Sequence, residues 1–334
     1  MKIVFLSRLF WPNLGGVETH VLNLSHQLIK QGHVVTVITS QHDPKLPITE
    51  EFQNIHIIRI PHHFLKSKLK LWIWMYSHKH LYKSADIIHA HDVTWWYFPS
   101  KLILPSKPIY TTFHGWEGTY PLSRKSIVWR RLSELISLKN ICVGDFISRW
   151  YATQPDLVTY GATNCLPHPQ SQKPHIVVLG RLSKDNDLPI ILDALSQITK
   201  HRSIKITFVG DGVLASQAQK IGNVTGFVND TDNYIKKASM VITSSYLSML
   251  DTMAIGRPIM SVYSNLLKSD YLSLHPMHQH FSINPSIPQL TTNINGLLNN
   301  PDAQNANIKT AQQWAIKQTW DKLTNQYIEL WQRN

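Results

Sequence analysis

Two stretches of the sequence run from an apolar segment of the kind that forms a buried strand into a loop marked by glycine. In the first, the run at 3–6 is followed by Gly15 and Gly16 and then by a helical pattern. In the second, HIVVLGRL at 175–182 is followed by ITFVGDG at 206–212. Glycine lets backbone amides approach a phosphate closely, and the helix that follows directs its positive end at the anion. The sequence therefore predicts two half-sites that hold one phosphate-bearing ligand in a cleft between two domains.

The length and the order of elements agree with two domains. A chain of 334 residues is too long for one ordinary core and fits two domains of about 150 residues each. Short apolar strands alternate with helical periodicity, which is typical of parallel sheets covered by helices on both faces. The sequence thus predicts the α/β class with two doubly wound, Rossmann-like domains. The change-over falls at 166–175, whose prolines indicate an extended linker.

The charge of the chain calls for an acidic partner. The net charge is +12 and the pI is near 9.6. Nucleic acid is not expected, because the basic residues are spread over the chain and no helix-turn-helix, finger or RNP-like signature occurs. The segment 62–84 instead interleaves basic with aromatic side chains: Lys66, Lys68, Lys70, Lys79 and Lys83 with Trp72, Trp74, Tyr76 and Tyr82. This pattern is typical of a helix on an anionic membrane surface, and the alternative is an ordinary amphipathic helix with solvated lysines.

Cysteines and histidines give little sign of metal chemistry. Cys142 and Cys165 lack the paired spacing of zinc or redox motifs, and we expect both to be reduced core residues. The chain has 18 histidines, with His89 and His91 close together in DIIHAHD, but no carboxylate-backed ligand set accompanies them. We therefore predict no metal site.

The N-terminus and the hydropathy suggest the compartment. The apolar run after Lys2 is interrupted by Ser7 and Arg8, so it predicts a first strand and not a signal peptide. No segment approaches the roughly 20 apolar residues that a membrane span needs. We expect a cytoplasmic protein, which the segment 62–84 would make peripheral on the inner face of the cytoplasmic membrane.

Six motifs occur in the order found in one enzyme family: NLGGVETHVLNLSHQLIKQGHVVTVIT, DIIHAHD, TTFHGW, GRL, VGDGV and DTMAIGRPI. The combination resembles the family 4 glycosyltransferases of the GT-B fold over nearly the whole chain, and SSYLSMLDTMA resembles a short-looped branch of that family. The resemblance implies two facing Rossmann-like domains: an acceptor-side domain at 1–165 and a nucleotide-sugar donor domain at 166–306. The C-terminal helix, at about 307–334, would pack back on the first domain.

The resemblance also assigns the catalytic residues. It implies a retaining transfer from a nucleotide-sugar, with no metal and no cofactor, so guanidinium and backbone amides must stabilise the charge that grows on the leaving diphosphate. Arg181 follows a strand at the carboxyl edge of its sheet, and the resemblance makes it the pyrophosphate clamp. His114 matches the histidine that lies beside the transferred sugar in similar enzymes. Gly15 and Gly16 would approach the phosphates from the opposite domain, and Trp116 could line an acceptor pocket with Glu117.

Further donor-binding residues are predicted in the second half of the chain: Gly210, Phe227, Lys184, Ser245, Tyr246 and Asp251. Two of these sites depart from the family pattern. Leu247 stands where typical members place a first glutamate against the donor sugar, and Asp251 replaces the second glutamate, which contacts the ribose. Amides near Ser245 and Tyr246 could bind the diphosphate instead. Lys184 comes earlier than the usual lysine, and Asp185 and Asp187 place negative charge close to the expected phosphate.

The leading hypothesis is a retaining glycosyltransferase that uses a UDP- or GDP-sugar in the assembly of cell-envelope polysaccharide or glycolipid, with a glycan or lipid-linked acceptor. Closure of a hinge near 166–174 would expel water from the site. Two alternatives remain open. One is a non-catalytic module that binds nucleotide or glycan, and the other is a sugar-nucleotide epimerase of the same fold, although Leu247 removes one obvious position for the acidic group that an epimerase needs.

Overall fold

The computed structural model describes residues 1–13, 15–116, 118–170, 173–228 and 230–332. The chain forms two compact units. The N-terminal unit comprises Met1–Thr159 and the segment that begins at Trp320, and the C-terminal unit comprises Tyr160–Thr319. The boundary expected from sequence, between residues 165 and 166, lies a few residues beyond the one observed. Among the described residues, no helix has the length and apolarity needed to cross a bilayer.

The N-terminal unit is built on a sheet whose central strands are buried on both faces. The strands are β1 (Lys2–Ser7), β2 (Val34–Ser40), β3 (Thr49–Phe52), β4 (Ile55–Ile60), β5 (Ile87–His91), β6 (Ile109–Phe113), β7 (Lys139–Val143) and β8 (Leu157–Thr159). They lie in the order β3-β4-β2-β1-β5-β6-β7-β8. Neighbours pair in parallel, and the edge strand β3 runs antiparallel to β4. The continuous apolar runs of these strands explain this burial, because parallel sheets are covered by helices on both sides.

Helices cover this sheet. They are α1 (Gly16–Lys30), α2 (Lys68–Ser77), α3 (His80–Lys83), α4 (Phe98–Ile103), α5 (Arg124–Ile136) and α6 (Phe146–Tyr151). The Ser67 side chain accepts a hydrogen bond from the amide of Lys70 and so caps the start of α2. In the segment 62–84, where the sequence indicated a helix, the structure has two α-helices, the first ending at Ser77 and the second beginning at His80.

The C-terminal unit repeats the plan with its own sheet. Its strands are β9 (His175–Leu179), β10 (Lys205–Val209), β11 (Asn223–Val224), β12 (Met240–Ile242), β13 (Ile259–Val262) and β14 (Ser282–Asn284). They pair in parallel in the order β11-β10-β9-β12-β13-β14. The prediction of an α/β fold with two Rossmann-like parallel sheets is confirmed.

The helices of the C-terminal unit are α7 (Leu188–Thr199), α8 (Ala215–Ala218), α9 (Asp232–Lys237), α10 (Tyr246–Ile255), α11 (Leu266–Ser273), α12 (Ile287–Asn299) and α13 (Asn305–Ala315). The last helix of the chain, α14 (Trp320–Gln332), belongs to the N-terminal unit. The sequence predicted one C-terminal helix from about residue 307, and that prediction was wrong about its continuity. The structure has two helices, and the chain passes from one unit to the other between them.

The predicted linker is fixed to the C-terminal unit where it is described. The Arg257 guanidinium is 2% exposed, and it donates hydrogen bonds to the carbonyl oxygens of His168 and Pro169 at 3.0 and 2.6 Å. The amide of His168 donates to the carbonyl of Ile255 at 3.1 Å. These bonds anchor residues 166–170, while Ser171 and Gln172 lie outside the described residues. The sequence showed the prolines of this segment but not the buried arginine that holds it.

Candidate active site

A group of histidines lies at the carboxyl end of the N-terminal sheet. His89 and His91 are on β5, His114 directly follows β6, and His20 is on α1; we call these four residues the histidine group. The Nδ1 atom of His91 lies 2.9 Å from Nε2 of His114, and the rings of His20 and His114 meet edge to face with centroids 4.7 Å apart. The strand order reverses between β1 and β5, and open α/β sheets bind ligands at such a reversal.

Burial keeps the histidine group uncharged near neutral pH. Burial and, secondarily, the charge of Arg130 lower the pKa of His114 to about 3. Burial is also the main reason why the pKa values of His20, His89 and His91 lie well below that of a free histidine. A neutral ring at His114 adds no repulsion to a positive charge that develops beside it. Among the described residues, the buried Nε2 of His91 has no hydrogen-bond partner, which is uncommon for a buried polar atom.

The loop after β6 is held in place by polar contacts from two sides. The amide of His114 donates to Oδ1 of Asp92 at 3.0 Å. The half-buried loop continues through Gly115, whose carbonyl oxygen accepts a 2.7 Å hydrogen bond from the Arg130 guanidinium. Trp116 packs edge to face on Phe146, with ring centroids 6.0 Å apart. Glu117, predicted with Trp116 at an acceptor pocket, lies outside the described residues.

The Gly15-Gly16 turn precedes α1 as predicted from its sequence. The amide of Gly15 donates a 2.9 Å hydrogen bond to Oε2 of Glu18, which is the carboxylate arm of a capping box. A Cβ at Gly15 would come within 2.6 Å of the same oxygen, whereas a Cβ at Gly16 would meet open space. A phosphate at Gly15 must therefore displace Glu18, and Gly16 is the more accessible of the two.

In the C-terminal unit, the loops after β9, β10 and β11 pack on one another through glycines. Gly210 forms an antiparallel bridge with Gly226. On its other side, a Cβ added to Gly210 would overlap the carbonyl oxygen of Gly180, and one added to Gly212 would lie 2.5 Å from that of Leu182. Only glycine permits this approach of backbone to backbone. The predicted donor residue Gly210 thus lies in direct contact with the GRL loop.

Two further predicted donor residues lie on these loops. Phe227 directly follows Gly226 and its side chain is 66% exposed, which is unusual for a phenylalanine without a partner. Arg181 directly follows Gly180, and its side chain is also 66% exposed. The Arg181 guanidinium lies 3.0 Å from the Asp185 carboxylate. Lys184 is exposed on the same loop.

Sequence reasoning missed a lysine that reaches this loop from α11. The Nζ atom of Lys268 lies 2.6 Å from the Asp187 carboxylate, and it donates to the carbonyl oxygen of Asp185 at 3.3 Å. The negative charge that the sequence placed near the expected phosphate is therefore partly neutralised by Lys268. Its position more than 80 residues away in the chain gives no local signal.

The start of α10 carries Ser245 and Tyr246, predicted to offer amides to a diphosphate. The amide of Tyr246 donates a 3.0 Å hydrogen bond to the hydroxyl of Tyr271, and the two rings stack with centroids 4.0 Å apart. That amide is therefore engaged within the unit. Leu247, which replaces the family glutamate, packs on Gly161: a Cβ at Gly161 would come within 2.6 Å of its Cδ2.

Asp251 faces the segment that enters the C-terminal unit. Its Oδ1 accepts a 2.6 Å hydrogen bond from the hydroxyl of Thr163, and burial raises its pKa to about 6. Arg181 and Asp251 were both predicted to hold the donor, and the structure pairs Arg181 with Asp185 and Asp251 with Thr163. Cys165, Asp232 and Asp251 have ligand-type atoms within 4.8 Å of one another. The Cys165 thiol donates to Asp232, however, and burial raises its pKa, which disfavours the thiolate that a metal would need.

Models of known protein families match both halves of the chain. Residues 14–158 match the model described as Glycosyltransferase Family 4, and residues 173–300 match the model described as Glycosyl transferases group 1. The two halves of the chain are the two domains of a glycosyltransferase. The first matched range contains all four members of the histidine group, and the second contains the glycine loops around Gly210.

Solved structures share the fold of this glycosyltransferase over its full length. Sucrose-phosphate synthase from Thermosynechococcus elongatus has a TM-score of 0.79 and 16% identity, with 99% of this chain and 98% of that chain covered. HepE of Anabaena, in complex with UDP and glucose, has a TM-score of 0.72 and 14% identity, with 98% of each chain covered. Identities this low establish the GT-B architecture and nothing about substrates.

One curated relative matches the chain over only part of its own length. The Phosphatidylinositol N-acetylglucosaminyltransferase GPI3 subunit of Saccharomyces cerevisiae is 21% identical in an alignment of 241 residues that covers 63% of this chain and 53% of that protein. The glycosyltransferase therefore spans about half the length of the curated relatives that it matches.

Proposed function

We propose that this glycosyltransferase moves a sugar from a nucleotide-sugar to a glycan or lipid-linked acceptor, with retention of anomeric configuration and without a metal, in the assembly of cell-envelope polysaccharide or glycolipid. The observation that carries the proposal is the contact between the loops of Gly180, Gly210 and Gly226, with an exposed Arg181 beside them. Backbone loops with a guanidinium at the carboxyl end of parallel strands suit a nucleoside diphosphate.

The donor would be recognised by residues of these loops. The Arg181 guanidinium would leave Asp185 and pair with the diphosphate, because a phosphate offers a doubly charged, bidentate partner. The exposed ring of Phe227 would stack on the base or the ribose. A UDP-sugar is the first donor to test, since HepE of Anabaena has been solved with UDP and glucose; a GDP-sugar is the second.

His114 would act at the sugar. During transfer, the bond from the anomeric carbon to the diphosphate oxygen breaks, and the nucleoside diphosphate leaves with the bonding electrons. An acceptor hydroxyl oxygen forms the new bond, and its proton passes to the departing diphosphate. The ring carbon then carries positive charge. A neutral His114 can hydrogen-bond the sugar next to that charge, whereas an imidazolium would repel it.

One experiment separates this proposal from its alternatives. The protein is incubated with UDP- and GDP-sugars, and free nucleoside diphosphate and isomerised sugar are both measured. A transferase releases diphosphate with acceptor present, an epimerase yields isomerised sugar, and a binding module yields neither. We expect His114→Ala to lower transfer at least 100-fold while nucleotide binding stays nearly unchanged. Equal turnover by variant and parent would remove His114 from the mechanism.

A lipid-linked acceptor is favoured by one surface of the N-terminal domain. On α2, Leu69, Ile73 and Tyr76 are 67%, 54% and 45% exposed, and the segment 62–84 that contains them has no acidic residue. On α5, the same spacing recurs at Val128, Leu132 and Leu135, which are 55%, 40% and 80% exposed. Exposed apolar residues that line one side of a helix are typical of an interfacial site.

The two helices are neighbours, and both carry exposed basic residues. The Nζ atom of Lys68 on α2 lies 3.6 Å from the ring centroid of Trp129 on α5. Lys66 precedes α2 and Lys70 lies on it, and Arg124 and Lys125 begin α5; all four residues are exposed. Exposed apolar side chains on helices that also carry exposed basic residues suit an anionic lipid surface. The name of the yeast relative, which includes phosphatidylinositol, points to the same class of acceptor.

Liposome flotation tests this surface. We expect binding to vesicles that contain anionic lipid, weaker binding to neutral vesicles, and a loss of binding in the double variant Ile73→Glu/Leu135→Glu. Val213→Glu is the matched control, because Val213 is 83% exposed in the C-terminal domain. Binding that ignores lipid charge, or that the control reduces equally, would favour a soluble acceptor.

A further inference from the structure

The last helix of the chain contributes two side chains to the histidine group. The indole Nε1 of Trp331 lies 3.0 Å from Nδ1 of His89. The hydroxyl of Tyr327 lies 2.9 Å from that of Thr112 and 3.0 Å from Nε2 of His20. The Nε2 atom of His89 completes the series, 2.8 Å from Oγ1 of Thr112. All five side chains are at most 3% exposed, so water does not compete for these bonds.

The indole fixes the proton of His89, and the partners of Thr112 fix the rest of the series. An indole N–H can only donate, so Nδ1 of His89 accepts and its proton must be on Nε2. That proton is donated to Thr112. Among the described residues the Thr112 hydroxyl has hydrogen-bond partners only in His89 and Tyr327, so its own proton is donated to Tyr327. The Tyr327 hydroxyl in turn donates to Nε2 of His20. It follows that His20 carries its proton on Nδ1.

We propose that Tyr327 and Trp331 are positioning residues that hold His20 in its Nδ1-protonated form against His114. His20 does not hydrogen-bond His114, but their rings are in contact, with centroids 4.7 Å apart. Burial lowers the pKa values of His20 and His89, which agrees with a series of neutral groups. The role in catalysis rests on the proposed sugar transfer, whereas the order of protons does not.

Nitrogen NMR of the histidine-labelled protein tests the order of protons directly. We expect the ¹⁵N shifts of His20 in the parent to report a protonated Nδ1 and an unprotonated Nε2. Tyr327→Phe removes the donor to His20, and Trp331→Phe removes the group that sets the direction, so each should distribute the His20 proton over both nitrogens. A parent protein with Nε2 protonated would overturn the proposal.

Tyr110→Phe is the matched control. The Tyr110 hydroxyl is also buried, and it ties β6 to the backbone carbonyl of Trp331 at 3.0 Å, outside the series. We expect it to leave the His20 tautomer unchanged. If it alters the tautomer as much as Tyr327→Phe does, loss of packing and not loss of the series is responsible, and the proposal fails.

Kinetics test the catalytic part. We expect Tyr327→Phe to lower kcat about tenfold, equal to about 1.4 kcal/mol in the barrier, with the donor KM within about twofold of the parent and Tyr110→Phe near parent values. A changed tautomer with unchanged kcat would overturn the positioning role. A parent that transfers no sugar would instead refute the proposed function, and the NMR result would still decide the order of protons.

Discussion

The ammonium of Lys268 lies 2.6 Å from the carboxylate of Asp187, and both side chains are 2% exposed. Asp187 has a backbone φ of +56°, in the left-handed region where Asp and Asn are tolerated better than most residues. The same lysine donates to the carbonyl oxygen of Asp185, whose carboxylate pairs with Arg181. Lys268 thus holds the loop that presents the predicted diphosphate clamp, without being exposed to the ligand itself.

Lys268→Met should destabilise the C-terminal domain strongly. Removing one partner of a buried ion pair leaves an unpaired charge and costs about 3–5 kcal/mol. Chemical denaturation measures the loss. The double variant Lys268→Met/Asp187→Asn should recover part of it, because no buried charge is left and Asn accepts the positive φ. The exposed Lys184→Met should change stability little, and a similar loss in that control would contradict the assignment.

Arg181→Met should act on ligand binding and spare stability. The Arg181 side chain is 66% exposed, so its pair with Asp185 contributes little to folding. A charge-assisted hydrogen bond to a ligand is worth about 1.5–3 kcal/mol, so we expect nucleoside diphosphate to bind roughly 10- to 100-fold more weakly. Calorimetry with UDP measures this change. Unaltered affinity would mean that the guanidinium stays on Asp185 when the nucleotide binds.

The sequence predicted the elements of this site better than their contacts. Glycines after apolar runs placed Gly180 and Gly210 at strand ends because that signal is local. It could not show that the two loops touch, since their contact depends on β9 and β10 being neighbours. In the same way, DIIHAHD and TTFHGW were visible as separate motifs, but the 2.9 Å approach of His91 to His114 follows from the register of β5 on β6.

The hydrogen bonds of the buried aromatic residues could not be predicted from the sequence for a similar reason. Aromatic residues of the tail form a stripe at helical spacing, and that pattern predicts packing. It does not reveal that the hydroxyl of Tyr327 and the indole of Trp331 are hydrogen-bonded to residues more than 200 positions away. The buried ion pair of Lys268 could not be predicted because a single lysine in a helix is normally solvated. Local patterns determine elements, whereas long-range polar pairs depend on the assembled fold.

Acid should destabilise the N-terminal domain. An unfolded histidine has a pKa of about 6.5, and burial holds the pKa values of His20, His89 and His91 well below that in the fold. Below pH 6.5 the unfolded chain therefore binds more protons. The stability that these neutral histidines confer is complete above pH 6.5 and is lost as the pH falls towards their folded values, by up to about 1.4 kcal/mol per pH unit for each residue.

Denaturant unfolding between pH 7 and pH 5 measures this slope. The contribution of Asp251 to the pH dependence has the opposite sign, because its pKa is raised from 3.8 to about 6. Asp251 therefore offsets part of the loss of stability in that range if both domains unfold together. His89→Gln removes one titrating group and should reduce the slope. A slope that His89→Gln leaves unchanged would show that His89 takes up protons alike in the folded and the unfolded chain.

Gly210→Ala should damage the donor loops far more than Gly226→Ala. A Cβ at Gly210 would overlap the backbone carbonyl oxygen of Gly180, and the φ of +148° at Gly210 lies where L-residues are strained. The GRL loop would have to move, so we expect a loss of several kcal/mol in stability, a lower affinity for UDP, or both.

Gly226 is the matched control because it lies on the other side of the same bridge. It has a φ of +74°, and a Cβ there meets nothing within 4 Å. Gly226→Ala should therefore lower the free energy of unfolding by only about 1–2 kcal/mol, the cost of an L-residue in the left-handed region. Thermal unfolding with and without UDP compares the two variants. If they unfold alike and bind UDP alike, the contact between the Gly180 and Gly210 loops does not shape the nucleotide site.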